Sequence, residues 1–344
     1  MMRYSIVIVV MLGVMIRLSA QVTFTNPVYT SDFADPTIIR GHDGWFYAYG
    51  TNTEINNILY HIQVAKSQDL VHWEIAGDVL PIKPTWADKD FWAPHVLYDA
   101  VRNQYYLYYS GESPDDKIGK CIGVAVSKNP AGPFVDIGQP LVCGEEFINI
   151  DPMAFDDPVT GKKYLYWGSG FKPIKVQELN DDRVSFKVGT SPVGIVSPGK
   201  DVDYSRLIEG AWVHHHDGYY YLLYSGDNCC GDKANYAVMV ARSKKATGPF
   251  ERLGAVKKDN NSAILVKNDA WLAPGHNSVV TDDAGQDWII YHAIARDAAL
   301  KDKGRVMLID KLQYKNGWPF IKTGTPGIKP QPIPTIRKLI NNPK

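Results

Sequence analysis

An aromatic strand recurs five times along this 344-residue chain, starting at Phe46, Tyr105, Tyr164, Tyr220 and Trp288, at spacings of 59, 59, 56 and 68 residues. A copy such as Tyr220-Tyr221-Leu222-Leu223-Tyr224 sets bulky β-formers behind a turn signal, here Asp217-Gly218, which is the pattern of a hairpin strand. Each is followed by a second β-rich run, for example Ala237-Val238-Met239-Val240-Ala241. A third comes after it, marked by Trp73, Phe134, Phe186, Phe250 and Phe320 in turn. A period of several tens of residues is the mark of a propeller or solenoid. Five copies of about four antiparallel strands predict an all-β fold, a five-bladed β-propeller.

Composition narrows the partners. Hydrophobic residues make up 45% of the chain and charged ones 22%, as in a folded globular protein. The 20 tyrosines and nine tryptophans favour strands and sugar-like surfaces. Formal charge is zero and no lysine or arginine stripe is present, so nucleic acid and anionic membrane are excluded as expected partners and a neutral substrate fits better.

Arg3 precedes an apolar run from Ser5 to Ile16, and Leu18-Ser19-Ala20 precedes Gln21. That is the layout of a secretory signal peptide over residues 1–20, although Arg17 is atypical so near the cut. An uncleaved anchor is the alternative, disfavoured by the shortness of the apolar run. Residues 21–344 then form a single propeller domain, periplasmic or secreted, with no membrane contact after cleavage. Loss of Arg3 and Arg17 leaves 35 basic against 37 acidic residues, a net charge near −2. Cys121, Cys143, Cys229 and Cys230 suit an oxidising compartment and match no zinc spacing. They read as loop staples or free thiols, and the adjacent pair is not expected to close on itself. From Thr323 the proline-rich tail is expected to run as extended chain outside the ring rather than to add a strand pair.

Ten to thirteen residues ahead of the five aromatic strands stand Asp35, His95, Asp151, Glu209 and His276. The first strand of each propeller blade lines the central channel, so residues at one phase near its start should converge at one end of the axis. Singly, an Asp-Pro pair is a turn opener and Glu209 a solvated loop acid. Three acids and two histidines in register instead resemble one site with divided roles. Carboxylates on a neutral, aromatic-rich surface suit glycosidic hydrolysis, in which one carboxylic acid protonates the leaving oxygen and one carboxylate activates water or attacks the sugar. A third acid can raise the pKa of its neighbour. A sugar-binding propeller without catalysis would be expected to lack at least one of the three.

The motifs Asp32-Phe33-Ala34-Asp35-Pro36, Phe91-Trp92-Ala93-Pro94, Ile150-Asp151-Pro152, Glu209-Gly210-Ala211-Trp212, Gly275-His276-Asn277-Ser278 and Gly304-Arg305 span essentially the whole mature chain. Together they resemble glycoside hydrolase family 43, the five-bladed propellers that include arabinanases, arabinofuranosidases and xylosidases. The resemblance implies Asp35 as general base, Glu209 as general acid and Asp151 as the residue that tunes and orients the acid, with inversion at the anomeric carbon. It implies substrate contacts from Trp92, Phe33 and Arg305, whose simpler reading is a salt bridge to Asp310 or another surface acid. Trp212 and Trp271 read as core. It also implies a central cation, commonly calcium, reached by His276 largely through water, and no organic cofactor.

The runs Ser225-Gly226-Asp227-Asn228-Cys229-Cys230-Gly231 and Gly275-His276-Asn277-Ser278 look most like the α-1,5-arabinanase branch, acting on arabinan as an oligo- or polysaccharide. Gly210-Ala211, where endo-arabinanases tend to have Ala-Pro, and His95, where many relatives have Asp, depart from it. β-Xylosidase or side-chain arabinofuranosidase action on arabinoxylan therefore stands as the alternative.

Overall fold

The computed structural model describes residues 22–199 and 204–337. The expected signal peptide lies outside them. Alternation within the aromatic strands generates the architecture, because successive side chains on a strand point to opposite faces of the sheet. Tyr220, Leu222 and Tyr224 pack toward the third copy, and Tyr221 and Leu223 toward the fifth. A strand buried on both faces must lie between two other sheets. Repeated five times, this arrangement produces five antiparallel sheets and five interblade cores around one axis, a five-bladed β-propeller.

The innermost strands are Thr37–Arg40, Lys89–Asp99, Met153–Asp156, Ile208–His216 and Trp271–Thr281. Each pairs outward with its blade's aromatic strand. Blades one and three have four strands, while two and four gain a short extra one. The fifth sheet has three strands of its own. The N-terminal segment completes it, with Val28 N–H donating to Met307 O and Phe33 N–H to Arg305 O. Joining the first segment of the chain to the last blade closes the ring and covers an edge that would otherwise be free to pair with another chain.

Four local expectations are corrected. Gln331–Pro332 pairs with Thr23–Phe24, so the tail does form a short strand pair. Proline 332 sits at its end, where the missing N–H costs nothing. In the third blade Phe186 makes only an isolated bridge to Leu179, and the outer strand is Val193–Val196. In the fifth, Trp318–Phe320 leaves the blade and forms a hairpin with Gln313–Lys315. All four cysteines are paired, Cys121 with Cys143 and Cys229 with its neighbour Cys230. The contiguous pair was not expected because one peptide holds its Cα atoms only 3.8 Å apart, below the usual disulfide span. Trp271 is buried in the core between the fourth and fifth blades, and Trp212 packs against that core and the one between the third and fourth.

Candidate active site

One backbone device is repeated around the axis. Asp35, Ala93, Asp151, Gly210 and His276 have φ of 56°, 45°, 59°, 62° and 46°, a left-handed residue at a matching place in every blade, and Asp90 and Ala273 are left-handed as well on the second and fifth inner strands. Such values are uncommon outside glycine and persist only where surroundings over-determine them. Here a polar group at the end of the preceding blade's aromatic strand does so. Asp35 N–H donates to His292 Nδ1 at 3.0 Å, Ala93 N–H to Thr51 Oγ1 at 2.9 Å, Asp151 N–H to Ser110 Oγ at 3.0 Å, and His276 N–H to Ser225 Oγ at 2.7 Å. In the fourth blade Ser169 Oγ instead donates to the Glu209 carboxylate. Every blade thus supports the site residue of the next.

This register corrects the second-blade assignment. Ala93, not His95, is equivalent to Asp35, Asp151 and His276, and in the fourth blade Gly210 rather than Glu209 holds that position. Bulges between Lys89 and Trp92 and between Trp92 and His95 shift the strand. His95 is buried against Trp212, accepts a hydrogen bond from Ala154 N–H at 3.3 Å, and is held neutral by burial, its pKa down to about 3. Ala93 is buried, and Trp92 reaches the cavity instead.

The cavity has a volume of about 440 Å³ and contains Asp35, Asp151, Glu209, His276, Arg305 and Trp92 in its lining. Phe33 is not among them. It is fully buried beneath Gly50 and packed edge-on to Tyr29, so it cannot stack on a sugar, and the expected platform falls to Trp92. The Trp92 and Phe147 rings lie parallel, 3° apart in tilt, with centroids 6.3 Å apart. The Lys120 ammonium, itself paired with Asp90 and Glu112, sits 4.1 Å over Trp92 and braces that ring.

The acids experience opposite electrostatics. Burial pushes the Asp35 carboxyl up, but Arg305 and His276 beside it outweigh burial and hold it well below the usual carboxylate range. Its Oδ1 lies 3.2 Å from Arg305 Nη1 and 3.3 Å from His276 Nδ1, while Thr51 donates to Oδ2. Arg305 therefore pairs with Asp35 rather than Asp310. Asp32 holds it there, accepting from the Arg305 N–H at 2.8 Å. His292 accepts the Asp35 N–H at Nδ1, which assigns its proton to Nε2. Burial takes its pKa down to about 4 and keeps the ring neutral.

Among the described residues Asp151 is paired only with the His276 ring, whose Nδ1 stands 4.0 Å from Oδ2. Burial, then the charges of Glu209 and Asp35, push its carboxyl well above the usual range. Its Oδ2 accepts the Gly210 N–H at 3.0 Å, which ties it to the peptide following Glu209. Tyr236 OH donates to Glu209 Oε1 and Ser169 to Oε2. The bulge between Glu209 and Trp212 explains Gly210-Ala211. A Cβ at 210 would lie 3.2 Å from His276 Nδ1, on a left-handed backbone. Ser169, Tyr236, Thr51 and His292 were not singled out by sequence reasoning. The shared position of Thr51, Ser110, Ser169 and Ser225 just after the aromatic strands was the available signal. An ionised carboxylate facing a second carboxyl that burial and crowding push up, with Glu209 beside it, can perform paired acid–base work.

The model of the glycosyl hydrolases family 43 matches residues 24–319. The chain belongs to glycosyl hydrolase family 43. Among curated relatives it is 30% identical to the extracellular exo-α-(1→5)-L-arabinofuranosidase ArbA of Cellvibrio japonicus, over 84% of this chain and 86% of that one. It is 29% identical to extracellular endo-α-(1→5)-L-arabinanase 1 of Bacillus subtilis, over 83% and 86%. The solved structure of Cellvibrio cellulosa α-L-arabinanase complexed with arabinohexaose superposes with a TM-score of 0.70 at 26% identity, covering 86% of this chain and 96% of that one. As a member of family 43 the protein is a glycoside hydrolase.

Proposed function

We propose that this family 43 enzyme hydrolyses the α-1,5-L-arabinofuranosyl linkages of plant cell-wall arabinan, outside the cytoplasm, with inversion of configuration. The observation that carries the reaction is the opposed state of two carboxyls on one cavity: Asp35 held ionised by Arg305 and His276, and Asp151 driven toward its neutral form beside Glu209. Glu209 gives a proton to the leaving glycosidic oxygen as the bond to the anomeric carbon breaks. Water adds to that carbon from the opposite face, and its proton passes to Asp35. Both protonation states reset through solvent. The low basicity of Asp35 suffices because the oxocarbenium-like transition state draws water in with little help. Asp151, pushed up by burial and by the charges of Glu209 and Asp35, keeps Glu209 oriented through the Gly210 peptide. Arg305 orients Asp35 and can reach sugar hydroxyls, and Trp92 offers an apolar face to the ring.

The arabinan reading is supported by the two relatives and the arabinohexaose complex, and the extracellular site by the relatives' names. Among the described residues no helix is long and apolar enough to cross a membrane. Incubation with linear arabinan, branched arabinan and arabinoxylan, with products resolved by size and anomer, tests it. Release of β-configured arabinose or arabino-oligosaccharides from the linear polymer is expected. Xylose released from xylan with no product from arabinan would replace this reading by the xylosidase one.

A hydrated divalent cation such as calcium fits the axis beside His276. On that strand the Asn277 amide and the Ser278 hydroxyl, with His292 Nε2 nearby in sequence register, are buried without a protein partner, the polarity that ordered water satisfies. Among the described residues no group of three His, Cys, Asp or Glu ligands gathers there, so oxygen ligands would come mainly from water. Bound there, it would add positive charge near Asp35 and His276. Exhaustive chelation is expected to lower activity, with Ca²⁺ restoring it. Unchanged turnover by metal-free protein would remove the cation from this reading.

A further inference from the structure

At the far end of the inner strand Ile208–His216, which carries Glu209 near its start, the sequence His214-His215-His216-Asp217 puts two imidazoles on one face, since residues i and i+2 share a side. His215 turns the other way and packs on Tyr220. His214 and His216 face the fifth blade, where Asp287 begins the aromatic strand. Seven residues separate His216 from Glu209, which at about 3.3 Å per residue puts this cluster roughly 20 Å from the catalytic cavity.

We propose that His214, His216 and Asp287 form a second site, for a borderline divalent cation of the zinc class, clamping the fourth blade to the fifth on the face opposite the active site. One ligand atom from each of the three lies within 4.8 Å of the others, the one such grouping among the described residues. His214 Nε2 is 2.9 Å from Asp287 Oδ2, a hydrogen bond that a bound ion would replace, and His216 Nδ1 is 3.5 Å from the same oxygen. The second spacing is too long for a hydrogen bond. It is the separation of two ligands that each stand about 2.0–2.1 Å from a tetrahedral ion, about 3.3–3.5 Å apart.

The surroundings hold the three groups in place. Thr281 Oγ1 donates to Asp287 Oδ1 at 2.5 Å and Tyr314 OH to Oδ2 at 2.7 Å. The His216 ring stacks on Tyr314 with centroids 3.7 Å apart and planes 5° apart. His216 Nε2 faces Asp217 Oδ2 at 3.4 Å, so the ring that would bind through Nδ1 has a carboxylate behind it, the usual means of fixing a ligating histidine. Asp287 is buried and His216 half-exposed, which provides both a dry ligand and an entry path. Two imidazoles and one carboxylate leave a fourth position for water and suit zinc over calcium.

The test uses untagged, EDTA-treated protein titrated with ZnCl₂ in excess Ca²⁺, so that an oxygen-preferring axial site is occupied, with isothermal titration and thermal melting as readouts. One Zn²⁺ per chain and a rise in Tm are expected. His216→Ala should weaken zinc affinity by more than about 100-fold and abolish the Tm rise while leaving arabinan turnover unchanged. A Co²⁺-loaded wild-type protein should show the intense visible absorption of a tetrahedral site. Absence of zinc binding by the wild-type protein would overturn the proposal. So would undiminished binding by a His214→Ala/His216→Ala double variant, which would place the ion elsewhere.

Discussion

Asp35→Asn is expected to lower kcat on linear arabinan by about 10³-fold, with KM changed only a few-fold. Asparagine keeps the volume and can still accept from Thr51, but it cannot take a proton from water. The variant should fold. The left-handed backbone at this position is one asparagine tolerates, and the peptide N–H remains bonded to His292. Loss of the charge leaves Arg305 and His276 facing a neutral group, which should cost about 1–3 kcal/mol of stability. Its sign follows from the depressed carboxyl. The ionised form is favoured in the folded state, so its contribution is fully present above the unfolded value near pH 4 and is withdrawn only as pH falls toward the folded one. The wild-type and variant proteins should therefore differ in denaturation midpoint at pH 7 and converge in acid. A small anion such as azide, which needs no base, should restore turnover to Asp35→Ala by entering the space vacated, giving the inverted glycosyl azide. Near-parental hydrolysis by either variant would end the assignment of Asp35 as base.

The five-fold repeat was legible because burial on both faces demands uninterrupted apolar strands, and those survive as Tyr, Leu and Ile runs in every copy. The positions of Asp35, Asp151, Glu209 and His276 were legible by their offset from those runs. His95 was misassigned for a physical reason. A bulge adds residues to one strand without changing its partner, so a count along the chain cannot separate Ala93 from His95, whereas the hydrogen bond from Ala93 N–H to Thr51 does. Phe33 failed differently. Its motif neighbours Asp32 and Asp35 both act at the site, but Phe33 lies ahead of the first inner strand, with its N–H bonded to Arg305 O and its ring buried beneath Gly50. The histidine pair at 214 and 216 was visible as letters, yet its partner Asp287 comes from another blade, and only ring closure brings them together.

Glu209→Gln should separate substrates by their leaving groups. On arabinan, whose departing alkoxide must be protonated, turnover is expected to fall by about 10³–10⁴-fold. On a dinitrophenyl arabinofuranoside, whose leaving group departs as a stable anion, the loss should be on the order of tenfold, the remainder reflecting lost orientation. Equal losses on both substrates would mean that Glu209 positions the sugar rather than donating a proton. Ser169 and Tyr236 sharpen this expectation, because both hydroxyls hold the carboxyl and can hold the amide in the same place. Asp151→Asn then distinguishes orientation from electrostatics. The amide oxygen can still accept the Gly210 N–H, so the strand geometry persists. Asparagine leaves one ionisable carboxyl where two were crowded together, so the alkaline limb of the kcat/KM profile should move to lower pH. An unmoved limb with reduced kcat would assign Asp151 to positioning alone. A moved limb means that Asp151, pushed up by burial and by the charges of Glu209 and Asp35, acts on the acid electrostatically as well as by position.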